Sequence, residues 1–124
     1  MSTSGKTVLL VDDDTTNLEL LGELLRAEGY TVVCARNGAE ALACLRATPP
    51  DIVMLDYVMP QMDGASTIGA LRLEPVTRDV AIVMTSGLPE DMVRPRCSGY
   101  DAFLQKPIDI DRVLETFSAL ARVH

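Results

Sequence analysis

The chain has no tryptophan, and aromatic residues fill 4% of its 124 positions. Its interior must therefore be built from Leu, Val, Ile, Ala and Met. Histidine occurs once, at the terminal His124, which is neither a credible catalytic base nor a phosphodonor. Positive charge is scarce: 11 Lys and Arg stand against 18 Asp and Glu, a net charge of −7. Such a chain has no electrostatic reason to seek a phosphate backbone, which argues against direct nucleic-acid binding. The three cysteines, Cys34, Cys44 and Cys97, are scattered and form no CxxC pair. An odd, scattered set reads as reduced cytosolic thiols, with Cys34 and Cys44 as small core residues and Cys97 as the more exposed one. Long apolar runs are also missing. Val8–Val11 stops at three aspartates, too short for a signal-peptide core or a membrane span. The expectation is a soluble, cytoplasmic protein, or the cytoplasmic part of a larger one, with no membrane insertion.

What is present is the ordinary globular fraction of hydrophobic residues, 48%, which argues against disorder. The length allows one domain, here residues 1–124. A chain of this size buries about two thirds of its unfolded surface and needs no disulfide or metal to fold. Five short β-type runs stand out: Val8–Val11, Thr31–Ala35, Ile52–Leu55, Val80–Met84 and Ala102–Leu104. The central ones are continuous rather than alternating, as strands covered on both faces are. Between them lie helical patterns. Leu18, Leu21 and Leu25 share a face with Leu24 beside them, stopped by Gly29; then come Ala39 to Ala47 and Gly64 to Leu73. A last helix begins near Asp109, with Val113, Phe117 and Leu120 on one face. Strands alternating with helices imply βαβ units and a parallel sheet, so the fold class is doubly wound α/β. In that class ligands sit beyond the carboxyl ends of the strands.

The residues just after each run are therefore informative. Asp12, Asp13 and Asp14 follow the first and Asp56 the third. Thr85, Ser86 and Gly87 follow the fourth, and Gln105, Lys106 and Pro107 the fifth. In a parallel sheet these groups converge at one edge. Carboxylates forced together repel, and the usual remedy is a hard divalent cation such as Mg²⁺. A lysine and a hydroxyl beside that cation are natural partners of phosphoryl oxygens. One carboxylate of such a site can act as a nucleophile and become an aspartyl phosphate.

The segment Asp56-Tyr57-Val58-Met59-Pro60-Gln61-Met62-Asp63-Gly64 resembles the phosphoacceptor segment of response-regulator receiver domains, the CheY-like family of two-component signalling. The acidic pair Asp12-Asp13, Thr85 and Lys106-Pro107 match that family's other motifs, in order, over essentially the whole chain. The resemblance implies a flavodoxin-like (βα)5 fold with strand order 2-1-3-4-5. It implies phosphorylation on Asp56, by a histidine kinase or histidine phosphotransfer protein. It also implies Mg²⁺ held by Asp13, Asp56 and the backbone carbonyl of Val58, with Asp12 acting largely through water. Lys106 would pair with Asp56 or its phosphate, and Thr85 would hydrogen-bond a phosphoryl oxygen. Ser86 is small enough to leave the phosphate accessible. Phe103, where the family commonly has Tyr, would follow Thr85 as a switch pair, and the Lys106–Pro107 bond would be cis. A signalling switch of this kind is not an enzyme acting on an external metabolite.

Other residues read more plainly. Asp14 is expected to be solvated or to cap a helix, and Asp63 to be a turn residue and N-cap. Met54, Met59, Met62 and Met84 fit as packing residues. The segment Leu88 to Gly99 departs from the family, because Pro95 falls where a fourth helix would have its interior. A proline there lacks an amide proton and clashes with the preceding turn, so the helix should be short, kinked or ended near Val93. With no residues left for an output domain, the expectation is a stand-alone receiver. The alternatives are the same domain cut from a hybrid kinase or longer regulator, an Asp-nucleophile Mg²⁺ phosphohydrolase, and a flavin-binding electron carrier. Val58 stands where the phosphohydrolases place a second acid, and three aspartates stand where a flavin phosphate would need a Ser/Thr/Gly-rich loop.

Overall fold

Continuous apolar strands need cover on both faces, and the helices between them supply it. The computed structural model describes residues 6–58 and 63–123. Along the chain lie β1 (Thr7–Val11), α1 (Thr15–Ala27), β2 (Thr31–Ala35), α2 (Gly38–Cys44) and β3 (Ile52–Asp56). Then come α3 (Gly64–Leu73), β4 (Ala81–Ser86), α4 (Glu90–Val93), β5 (Ala102–Gln105) and α5 (Ile110–Val123). The strands form one sheet in the order β2-β1-β3-β4-β5, and every pairing is parallel. This is the flavodoxin-like fold expected from the sequence.

Successive strand side chains point to opposite faces, and this alternation divides the interior into two layers. Leu9, Val11, Val53, Leu55, Ile82 and Met84 pack with Ala41 and Leu45 of the α2 segment and Ile68 and Leu71 of α3. Val8, Leu10, Ile52, Met54, Ala81 and Val83 pack with Leu18 and Leu25 of α1 and Val113 and Phe117 of α5. β3 and β4 are buried at every position, while β2 and β5 lie at the edges and have exposed positions. Phe117 is fully buried and meets Tyr30 edge-on, with ring centroids 5.5 Å apart. Burying such a side chain is worth about 1.5–3 kcal/mol, so the few aromatics present still contribute to the core.

Several boundaries shift from the sequence reading. β4 begins at Ala81 rather than Val80 and runs on through Thr85 and Ser86, because Asp56 pairs with Thr85 and Gln105 with Ser86. Those two hydroxyl residues are therefore in the strand, not after it. The second helix starts at Gly38 and ends at Cys44, three residues before Ala47. Asn37 caps its start by accepting from the Glu40 amide at 2.8 Å. The fourth helix is a single turn ending at Val93, as Pro95 predicts. Asp14 and Asp63 are the N-caps of α1 and α3, and Lys106–Pro107 is cis.

Two of the three cysteines are a correction, while Cys44 packs against the core as expected. Cys97 is buried and Cys34 is exposed, with Cys44 between them. Cys34 lies on β2, an edge strand that keeps exposed positions, whereas Cys97 tucks under the turn after α4 beside Val93 in the α3 layer. Burial raises the pKa of all three thiols. Met54 and Met84 are core residues. Met59, Pro60, Gln61, Met62, His124 and residues 1–5 lie outside the described residues.

Candidate active site

Strand alternation and register together build the site. Asp12, Asp56, Thr85 and Lys106 continue the series Val8–Leu10, Ile52–Met54, Ala81–Val83 and Ala102–Leu104, the series that faces α1 and α5. Register aligns their ends: Val11 pairs with Leu55, which brings Asp12 beside Asp56, and Asp56 pairs with Thr85. Four residues far apart in sequence thus meet at one edge of the sheet.

At that edge, carboxylate oxygens of Asp12, Asp13 and Asp56 lie within 4.8 Å of one another. Asp56 is buried at 7% exposure, Asp12 is half-buried and Asp13 is exposed. Lys106 Nζ donates to Asp56 Oδ2 at 3.1 Å and stands 3.6 Å from Asp12 Oδ2. The Asp14 amide donates to the other Asp12 oxygen at 3.0 Å, while Asp14's own carboxylate caps α1. One ammonium against three carboxylates leaves an excess of negative charge. Burial raises the pKa of Asp56 and the Asp12 charge adds to the rise, against the lowering effects of Lys106 and a backbone hydrogen bond from Val58. Burial also pulls Lys106 down, but its hydrogen bonds and charge contacts with Asp56 and Asp12 outweigh that and hold its pKa above the ordinary value.

The cluster fits a hard divalent cation. It offers oxygen donors alone, one exposed side and an uncompensated charge, with no sulfur or imidazole to favour a softer metal. The hydroxyls face elsewhere. Thr85 Oγ1 donates to the Leu55 carbonyl at 3.4 Å, and Ser86 Oγ accepts from the Leu88 amide at 2.9 Å. Val58 is 62% exposed. Phe103 is half-buried in the opposite layer, paired with Met84. A groove of about 360 Å³ leads from Asp12, Thr85 and Lys106 out between Leu20, Leu21 and Leu24 of α1 and Ile108.

Two supporting residues were not recognised from sequence alone. Gly64 donates its amide to the Tyr57 carbonyl at 2.8 Å, and an added Cβ would sit 2.8 Å from Tyr57 Cα and 3.2 Å from the Asp56 carbonyl. The residue after the α3 cap must therefore be glycine for α3 to start against the end of β3. Gly64 stands out in sequence as a helix start but not as a close approach. Arg72 donates to the carbonyls of Arg78, Val80 and Gly99 and to Asp101, tying α3 to the entry of β5. An arginine in a last helical turn carries no sign of partners 27 and 29 residues away.

The family model described as the response regulator receiver domain matches residues 8–118. The chain belongs to the response regulator receiver domain family. This receiver domain is 30% identical to the polar-differentiation response regulator DivK of Brucella anthropi, over 92% of this chain and 94% of that protein. Among solved structures, it is similar to chemotaxis protein CheY4 of Vibrio cholerae, with 28% identity and a TM-score of 0.85, covering 94% of this chain and 98% of that one. It is also similar to response regulator TrrA of Thermotoga maritima, solved in complex with Mg²⁺ and BeF, at 32% identity and TM-score 0.82, covering 93% and 98%. The receiver domain is thus a two-component phosphoacceptor module from a family of signalling switches. Among its described residues, no helix is long and apolar enough to cross a membrane.

Proposed function

We propose that this receiver domain, acting as a single unit over residues 1–124, takes its phosphoryl group on Asp56 from a phosphohistidine on a histidine kinase or phosphotransfer protein. The observation that carries this is the Asp56 carboxylate: buried at the end of β3, hydrogen-bonded to Lys106, and within reach of two further carboxylates. In the transfer, an Asp56 oxygen attacks phosphorus, the P–N bond breaks and the imidazole nitrogen leaves with the electron pair. Asp13, Asp56 and the Val58 carbonyl would hold Mg²⁺, with Asp12 behind a water. Bound there, Mg²⁺ would offset the charge of the incoming phosphoryl oxygens and fix their geometry. Lys106, already at the site, pairs with one of those oxygens. Thr85 leaves the Leu55 carbonyl to donate to another, while Ser86, small and turned to Leu88, leaves room for both. The groove beside α1 gives the donor protein an apolar contact next to Asp56.

The added group carries about two negative charges, and a conformer that holds it better gains population in proportion to that preference. Phe103 moves with Thr85 as the second member of the switch. The domain works in the cytoplasm as a switch and turns over no external metabolite. Intact mass after incubation with acetyl phosphate tests the reading. One phosphoryl adduct is expected in the wild type with Mg²⁺, and none without Mg²⁺ or in Asp56→Asn. An adduct that persists in Asp56→Asn would show that the nucleophile is another residue.

A further inference from the structure

Phe103 carries no hydroxyl, yet one is tied to its ring. Tyr100 packs on Phe103 with ring centroids 5.9 Å apart and planes tilted by 50°. The Tyr100 hydroxyl donates to Glu90 Oε2 at 3.0 Å, and the same carboxylate oxygen lies 2.8 Å from Arg94 Nη2. Glu90 opens the single turn of α4 and Arg94 closes it. That turn has little to hold it by itself. Its N-cap, Pro89, makes no side-chain capping bond, Pro95 offers no amide to extend it, and four residues are too few for helical cooperativity. Its place is set by tertiary contacts: buried Val93 and Cys97 beneath it, and the Tyr100–Glu90 bond at its side.

On the other side, Phe103 adjoins the phosphoacceptor edge. It pairs with Met84, the residue before Thr85, and packs in the same layer as Tyr57, which follows Asp56. We propose that Tyr100 is a positioning residue that couples Phe103 to α4, so that displacement of the Phe103 ring is delivered through the Tyr100 hydroxyl to the Glu90–Arg94 pair. The inference rests on the reading in which a change at Asp56 reaches Phe103. Arg94 is 70% exposed and Glu90 35%. Their separation is therefore a surface charge pattern that a protein partner can read. A tyrosine in a loop thus does what a hydroxyl on the strand aromatic would otherwise do, from three residues upstream.

Amide NMR of the full chain, before and after adding Mg²⁺ and beryllofluoride as the phosphoryl mimic, tests this. Tyr57, Thr85 and Ser86 report on the Asp56 edge, and Glu90, Asp91 and Met92 on α4. Both sets should shift in the wild type. In Tyr100→Phe, which keeps the ring and removes the hydroxyl, the first set should shift as before and the second should lose most of its response. Glu90→Ala should lose the same response, and the double variant no more than either single one. If Tyr100→Phe fails to fold, Glu90→Ala makes the comparison alone. An α4 response in the variants equal to the wild type overturns the coupling. So does a silent α4 in a wild type whose Asp56 edge responds. Silence at Tyr57, Thr85 and Ser86 in the wild type instead overturns the phosphoacceptor reading itself, and the coupling with it.

Discussion

The carboxyl ends of β1 and β3 and the α4–β5 quarter are built on different principles. At the first, backbone register places every group: Asp12, Asp56 and Thr85 stand where strand pairing puts them, on strands buried at almost every position. At the second, backbone regularity runs out after one helical turn. Individual side chains take over, with Tyr100 on Glu90 and Arg72 holding Gly99 and Asp101. Chemistry that needs carboxylates held at fixed separation is placed on the stiff edge. The contact proposed to move lies where single hydrogen bonds, each worth about 1 kcal/mol net, decide the conformation.

If the stiff edge depends on backbone approach, two glycines near it should behave differently. Gly64→Ala should destabilise the domain by about 2–3 kcal/mol, because its Cβ would collide with backbone and overpacking of this kind is costly. Gly87→Ala meets nothing within 4 Å and should stay within about 0.5 kcal/mol of the wild type, as open surface substitutions do. Urea unfolding of the two variants makes the comparison, and equal midpoints would break it.

A smaller effect tests the electrostatics of the same edge. The Asp56 pKa is raised in the fold, mainly by burial, so folding favours its protonated form. The stability it contributes is fully present below the ordinary carboxylate value of 3.8 and is lost as pH rises through the raised one. Asp56→Asn removes that loss and should be more stable than the wild type at pH 7. The gain should shrink as pH falls toward 4. Without Mg²⁺ these outcomes are read by urea unfolding; adding Mg²⁺ should stabilise the wild type and narrow the gap. A variant less stable than the wild type at neutral pH would mean that the Lys106 bond outweighs burial.

The smallest expected change in stability lies in the other quarter. Pro95→Ala restores an amide donor aimed at the turn of α4 while freeing the unfolded chain. Stability should change by no more than about 0.5 kcal/mol. Hydrogen exchange at the Arg96 and Cys97 amides, which both donate to the Val93 carbonyl, should nevertheless slow, and phosphorylation of Asp56 should persist. Unchanged exchange there would show that packing under Val93, not the proline, ends α4.

The same division marks how much was legible beforehand. Asp12, Asp56, Thr85 and Lys106 could be found from sequence because each stands at or just beyond the end of an apolar run, and the order of runs already implies a parallel sheet. Asp14 and Asp63 could be read as caps because capping is local. The extent of β4 could not be read, since Thr85 and Ser86 join the strand through partners on β3 and β5. Cys34 and Cys97 were misplaced because burial on an edge strand or under a short turn depends on what packs above.

Local and periodic information was therefore enough for the fold class, the strand ends and the chemistry gathered there, because strand alternation and connection rules act on the chain directly. Contacts between segments with no shared period were decided in three dimensions. Gly64 against Tyr57, Arg72 on Gly99 and Tyr100 on Glu90 exist because packing of the two layers brings them within a few ångströms, and residue spacing along the chain does not encode that distance.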